Sequence, residues 1–412
     1  MNNTKTNIFF STLSIIIVMF GYQFVTTLFG SSMTTATSRS ITIPYRLFAL
    51  AVLIITWILN RNTKSNSKSV RILWIYWALL LFRMFFDFYV RTDIPPISRD
   101  QRTVFVLLNM TEAVIPSIVF SKCYKHIDFD KLLIWSFIIT SASVLIAMFI
   151  NTSAFITGEV GTGERLTANA ALNSISTGNL GLMAIIVAIE LLRKHKLSFF
   201  LRIFVYFMIF LDFVFMLRAG SRGPMFSGFV VMIFVVLTIS KNKAASFALL
   251  LVSGIIFWLS LGFLESVISD ISPVLYERLY GGSLEDQFYG RDNLYSLAFS
   301  YFLESPIWGK YFALYLNGEM VWPHNILIES LLQLGIIGFI FMMTIIVKSC
   351  IKVLSIGRSK ASYFWLALIL IVGVSGGMIS TTFCMNSKIS PLYALLFMPI
   401  ESQNYSILKR KQ

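Results

Sequence analysis

Apolar residues in this chain come in long unbroken runs separated by short polar stretches. Neither the two-residue alternation of a half-buried strand nor the spaced stripe of a soluble helix describes them. A hydrocarbon core about 30 Å thick takes roughly 20 residues of helix. On that rule twelve spans are predicted, at 7–30, 41–60, 71–90, 102–121, 132–150, 171–192, 197–217, 224–240, 244–264, 325–347, 361–381 and 389–404. The first runs 24 positions without a charge, longer than the apolar core of a signal peptide, and no small-residue cleavage pattern follows it, so it is expected to stay in place. The expected fold class is an all-α polytopic membrane protein, one integral domain over residues 1–412, with a long outer loop at 265–322 and a second at 151–171.

Composition agrees: 56% of residues are hydrophobic, 38 are Phe and only 13% are charged, about half the share in soluble domains. A net charge of +14 raises the question of nucleic acid, but no basic face interleaved with aromatics on a soluble module is present, so no nucleic-acid partner is expected. Cys123, Cys350 and Cys384 are odd in number, and the first two fall at the inner side, so no disulfide framework is expected.

Charge changes the picture most when it is divided between the two faces. An even number of spans puts both termini on one side, and the segments on that side, around 61–71, 122–131, 193–196, 241–243 and 348–360 with the two tails, hold 20 Lys and Arg against 11 in the opposite loops. The excess marks the cytoplasmic side. The inner 20 are 15 Lys and 5 Arg; the outer 11 are 9 Arg and 2 Lys. Topology accounts for lysine inside but not for arginine outside, and the planar guanidinium suits a two-point grip on phosphate or carboxylate. As a set the outer arginines point to an anionic ligand. Arg46, Arg83 and Arg202 fall inside spans; Arg83 and Asp87, four apart, are expected to neutralise each other, whereas Glu112, Asp212 and Arg202 have no evident partner and are read as bundle-interior contacts.

Candidate chemistry gathers on the arginine side. In "WPHNILIESLLQLGIIG" (Trp322–Gly338) His324 follows Pro323 at the head of a span, whereas His126 and His195 lie in Lys-rich inner loops. Near a helix N-terminus an imidazole is kept neutral, which suits a base; the alternative is that His324 and Asn325 only cap the helix. Glu329, a little over one turn deeper, is placed to orient the ring. Arg218 and Arg222 flank a Gly-containing turn, "LRAGSRGP" (Leu217–Pro224), that brings the two cations together, which calls for a diphosphate between them or for Asp212 or Glu164 as an internal counter-charge. Arg291 opens "RDNLYSLAFSYFLE", where Tyr295, Phe299 and Phe302 recur at helical spacing and predict a short amphipathic helix on the membrane surface, ended by Pro306. Arg165 and Arg278 are weaker candidates, each with a neighbouring carboxylate, Glu164 or Glu277. No Walker A, no G-x-G-x-x-G, no H-E-x-x-H, and no outer Asp-rich pair for Mg²⁺ is found, so a metal-free mechanism with no cofactor is expected.

"AGSRGP", "GRDNLYSLAFSYFLESPIWGKYF" and "HN" followed by nine residues and "GIIG" resemble the O-antigen ligase and polymerase superfamily, whose H-[NSQ]-x9-G-x-x-[GTY] signature His324–Gly338 matches in full. The resemblance is firm over about Leu217–Val347. It implies a GT-C-like bundle and metal-independent glycosyl transfer on the periplasmic face of the bacterial inner membrane, from a glycan on undecaprenyl diphosphate and without a nucleotide sugar. His324, Arg291 and Arg222 then correspond to the catalytic residues, and Arg165, Arg218, Arg278 and Glu329 to substrate contacts. "SRGP" is more similar to Wzy-type polymerases, which join lipid-linked repeat units with a chain-length regulator as partner, than to the Thr-Arg form of ligases acting on lipid A core. A transporter of lipid-linked glycan, with charges near the midplane, and a non-catalytic scaffold are the rival readings.

Overall fold

The computed structural model describes residues 2–29, 38–92, 99–150, 174–239, 291–316 and 319–400, with isolated positions between 244 and 276. In chain order the helices are α1 (Asn2–Ile16), α2 (Tyr22–Leu28), α3 (Ser38–Asn60), α4 (Lys68–Tyr89), α5 (Arg99–Asn109), α6 (Ile115–Cys123), α7 (Phe129–Ile150), α8 (Ser174–Lys194), α9 (Phe199–Arg218), α10 (Arg222–Ile239), α11 (Arg291–Glu304), α12 (Ile326–Arg358), α13 (Phe364–Gly377) and α14 (Ile389–Leu396). Among the described residues eight helical segments are long and apolar enough to cross a membrane: α1 with α2, α3, α4, α5 with α6, α7, α8, α9 and α12. Shorter apolar helices, α10 and α13, join them. The chain is an all-α polytopic membrane protein.

The expected span at 244–264 and the loop at 151–171 lie outside the described residues, as does most of 265–290. In the expected last span, 389–404, the described residues end at Ile400 and are helical over Ile389–Leu396, eight residues and thus about 12 Å, a helix too short to cross.

Outward-facing residues explain the solvent this fold is made for. α9 leaves Phe200, Phe207 and Phe210 more than half exposed, and α3 does the same with Leu47 and Phe48. Such surfaces are stable only against lipid. At the centre, α13 is buried along its whole length and packs against α10, α12, α14 and α8. At the Lys-rich end, Lys122 donates to the Thr63 carbonyl (2.9 Å), Lys348 to Ser69 (3.4 Å), and Lys194 pairs with Asp130. Arg202, expected in the interior, is exposed on α9, four residues from Ser198, which caps that helix.

α12 is not one rod. Gly335 has φ 62° and ψ −149°, a conformation open essentially to glycine alone, and it breaks the helix. The segment Pro306–Tyr311 docks into the break: Ile336 N–H donates to the Pro306 carbonyl (2.8 Å), while Lys310 N–H donates to Leu332 (2.9 Å). A Cβ on Gly335 would lie 2.5 Å from the Ile307 backbone. Arg83 secures the joint, with Nε donating to Gln333 (3.0 Å) and Nη2 to the Trp308 (2.6 Å) and Gly309 (2.9 Å) carbonyls. Its ion pair with Asp87 (3.6 Å) is present as the spacing predicts, and Asp87 also faces Arg91 (3.7 Å) and accepts from the Phe312 N–H (2.5 Å).

α11 forms where Tyr295, Phe299 and Phe302 predict a helix, but it is apolar on two sides. Leu294, Leu297, Ala298 and Tyr301 pack inward toward Leu314 and Leu332, while Phe299 and Leu303 stay exposed. It is followed by an unforeseen hairpin, β1 (Leu314–Leu316) and β2 (Glu319–Val321), antiparallel with Tyr315 opposite Met320.

Candidate functional site

Four separate parts of the chain, in α8, α10, α11 and the head of α12, meet on Met378–Lys388, the polar segment that follows α13. Asn325 Nδ2 donates to the Met378 carbonyl (2.9 Å), and Arg291 Nη1 donates to the Ile379 carbonyl (2.8 Å). Gly223 lies so close to Ser380 that a Cβ there would come within 2.8 Å of its hydroxyl. Thr382 Oγ1 and the Phe383 N–H both donate to Glu329 Oε2 (2.9 and 3.2 Å). Asn386 donates to Thr381 Oγ1 (3.2 Å) and accepts from the Lys388 N–H (3.0 Å). Between this segment and the head of α8 is a cavity of about 250 Å³ lined by Ser176, Asn179, His324, Ser380, Thr381, Thr382 and residues 385–388.

The two halves of "HN" do different work. Asn325 is the cap of α12, accepting from the Leu327 (3.0 Å) and Ile328 (3.3 Å) N–H groups, which satisfies donors the helix leaves open. His324 takes no part in that capping. It sits at φ 59°, a left-handed conformation uncommon for a side-chain-bearing residue and worth holding only where the surroundings enforce it. Its Nδ1 is buried with no partner among the described residues. Burial first, and the Arg291 charge second, hold its pKa below the ordinary 6.5, so the ring is neutral at neutral pH and free to accept a proton.

Of the residues singled out in the sequence, His324 and Arg291 are brought together by the 378–388 segment. Arg222 opens α10 beside Gly223, at the wall formed by Ser380, and Arg218 ends α9 on the other side of Gly220, whose φ of 60° makes the turn. Pro224 of this turn abuts Gly178 of α8. Glu329 is 1% exposed and holds Thr382 and Phe383 instead of the imidazole; its Oε1 has no partner among the described residues. It shapes the wall of the cavity and does not orient His324. Asp212 is fully buried, and neither carboxylate oxygen finds a donor among the described residues. Arg165 and Arg278, with Glu164 and Glu277, lie outside the described residues.

Sequence reading missed the 378–388 segment itself. The signal was there: "GGMISTTFCMNSKIS" interrupts an apolar run with five hydroxyl or amide side chains before its lysine. It also missed the partner of Glu112, which accepts from Arg46 Nη2 at 2.9 Å across 66 positions of chain.

A many-helix membrane protein with an imidazole and an arginine converging at one end is the class these observations define. Residues 207–343, from within α9 to beyond the break in α12, match the family model described as O-antigen ligase. Over this stretch, about a third of the chain, the protein is similar to that family. The match takes in Arg218, Arg222, Arg291, His324 and Glu329 and stops short of Met378–Lys388. No curated protein matches the chain.

Proposed function

We propose that the protein is a Wzy-type polymerase, joining undecaprenyl-diphosphate-linked repeat units by metal-independent glycosyl transfer at the His324 cavity. One observation carries this reading: a half-buried imidazole whose buried Nδ1 has no partner among the described residues, kept neutral partly by an arginine that grips the same polar segment. The acceptor hydroxyl gives its proton to His324 as its oxygen attacks the anomeric carbon of the donor sugar; the bond from that carbon to the phosphate oxygen breaks, and the electron pair leaves on the diphosphate. Arg291 and Arg222 hold the charge that develops there, a role fixed cations fill without reorganising. Beside Arg291, an apolar cleft of about 310 Å³ lined by Tyr295, Ala298, Phe299, Ile328 and Leu331 suits the polyprenyl tail of such a donor.

The side of the membrane follows from charge. Lysines cluster at one end of the bundle, and this supports cytoplasmic termini, a periplasmic site and residence in the inner membrane. The 265–322 and 151–171 segments are then periplasmic loops, Arg165, Arg218 and Arg278 substrate contacts, and a chain-length regulator the protein partner. "SRGP" at Ser221–Pro224 favours polymerase over ligase. Lipopolysaccharide from cells lacking the protein tests the choice: core carrying a single repeat unit is the expected result, and bare core with intact lipid-linked polymer would assign the ligase activity instead.

A further inference from the structure

A second cavity, of about 390 Å³, adjoins the first, and the two share Ser176, Met385, Ser387 and Lys388 as a common wall. Its remaining polar lining includes Tyr22, Gln23, Tyr45, Arg46 and Glu112. Two of the spans around it abandon α-geometry at this level: a π-helical turn, Ile17–Gly21, separates α1 from α2, and another, Met110–Val114, separates α5 from α6. Such turns inside otherwise regular helices are frequent at functional sites. Here they are braced. Tyr45 donates its hydroxyl to the Ile17 carbonyl (2.7 Å), and its ring passes where a side chain on Gly21 would sit. Arg46 donates to Glu112 and lies over the Tyr22 ring (5.3 Å).

Two groups in this lining lack what they need. Gln23 is 7% exposed, and its Oε1 has no donor among the described residues. Lys388 is half-buried, and Glu112, its counter-charge, is already engaged by Arg46. Burial of the Gln23 oxygen without a donor is costly, and beside a lysine that shares its counter-charge it specifies a ligand. It must donate hydrogen bonds to Gln23 and bring an anion to Lys388. A phosphate dianion has a single P–OH donor and otherwise only accepts, so it serves Gln23 poorly; a neutral sugar leaves Lys388 unserved. A hydroxyl-bearing ring with a carboxylate serves both, and the volume suits a small ligand.

We propose that this cavity binds a uronic-acid-type sugar residue, its carboxylate on Lys388 and its hydroxyls on Gln23 and the Arg46–Glu112 pair. That the sugar belongs to the transferred glycan rests on the polymerase reading, since the shared wall at Ser387 and Lys388 sets the neighbouring residue of the glycan beside His324. The binding itself does not rest on it.

The full-length protein in nanodiscs is to be probed by saturation-transfer NMR with sodium glucuronate, against glucose and inorganic phosphate at matched ionic strength. Glucuronate is expected to bind in preference to glucose, phosphate at equal concentration to compete poorly, and Lys388→Gln to weaken glucuronate about tenfold, the effect of one charged hydrogen bond. Gln23→Leu, which keeps Lys388, should weaken both sugars and gives a second reading should Lys388→Gln not fold. Equal binding of glucose and glucuronate, full competition by phosphate, or an unchanged preference in Lys388→Gln would each overturn the proposal. His324→Ala keeps the two readings apart: it should retain glucuronate binding while transfer is lost, and transfer that survives His324→Ala rejects the transfer mechanism without touching the cavity assignment.

Discussion

Two arginine clusters in this protein face opposite demands. Arg83, with Asp87 and Arg91, spends its N–H groups on the backbone: its guanidinium donates to the carbonyls of Trp308, Gly309, Lys310 and Gln333, and Arg91 donates to Lys310 while lying over the Tyr311 ring. The Gln333 carbonyl lies two residues before the break at Gly335, and the other three belong to the segment docked into that break. Arg291 makes one hydrogen bond to the backbone among the described residues, to Ile379, and beside it stands an imidazole with an unpartnered nitrogen. The arginines of the first cluster spend their donors on the fold, whereas the second keeps a buried ring nitrogen with no partner among the described residues. Charge within a membrane protein is therefore no marker of function by itself; what marks it is capacity left over after the backbone is satisfied.

Removing one group from each cluster should break the molecule in different ways. His324→Ala is expected to lower transfer by about 10²- to 10⁴-fold, the usual worth of a positioned proton acceptor, with the protein still inserted and its thermal unfolding unchanged. Asp87→Ala strands two arginines in a nearly dry site, since the Asp87 side chain is fully buried, and breaking such a pair costs roughly 3–5 kcal/mol. Its loss of activity should follow its loss of folded protein, read by fluorescence-detected size exclusion after heating. Were Asp87→Ala stable and inactive, or His324→Ala unfolded, the division between the clusters would be wrong.

A smaller loss is expected from Gly335→Ala. The backbone there is one a side chain tolerates at about 1–3 kcal/mol of strain, before the added Cβ meets Ile307. Unfolding temperature should fall, and Gly338→Ala should lower it too, because a Cβ there would lie 2.5 Å from Leu334 Cβ and 2.6 Å from the Ser330 carbonyl. An unchanged unfolding temperature in Gly335→Ala would show that the break in α12 does not depend on glycine.

The long apolar runs made α3, α4, α7, α8 and α9 legible, because lipid demands both length and helicity. The Gly-x-x-Gly at 335–338 was legible as a motif but not as a helix break, since a positive φ is a consequence of what docks against it and Pro306 is distant in sequence. The β1–β2 hairpin was within reach, as Asn317-Gly318 is a strong two-residue turn signal, yet its three-residue strands carry no periodicity. His324 and Arg291 were found because their residue types are rare in that context. The pairing of Arg46 with Glu112 and the role of Met378–Lys388 were not, because contacts between distant parts of the chain leave no local pattern.

Asn325 offers a finer cut, since it touches both the helix and the polar segment. Asn325→Ala removes a cap worth about 1 kcal/mol together with the donor to the Met378 carbonyl. Asn325→Asp keeps the acceptor for Leu327 and Ile328 but not that donor. Stability should recover in the aspartate variant while transfer stays lowered; if both recover, the bond to Met378 does not set the site.

The smallest effect is the most specific. Proton acceptance by His324 requires the neutral ring, and its folded pKa lies below 6.5, so transfer is retained at neutral pH and lost as pH falls through that depressed value. Burial is the larger cause and Arg291 the smaller. Replacing Arg291 by Gln removes a cation that disfavours the imidazolium, so the acid limb of the residual rate should move up in pH, though not as far as the ordinary value, because the ring stays buried. Arg291→Lys keeps the charge and should leave the limb where it was, while still transferring poorly for want of the two-point grip. The profile is to be read from rates with a lipid-linked repeat unit in nanodiscs. An acid limb that stays fixed in Arg291→Gln would take the guanidinium out of the field of the imidazole and leave His324 to burial alone.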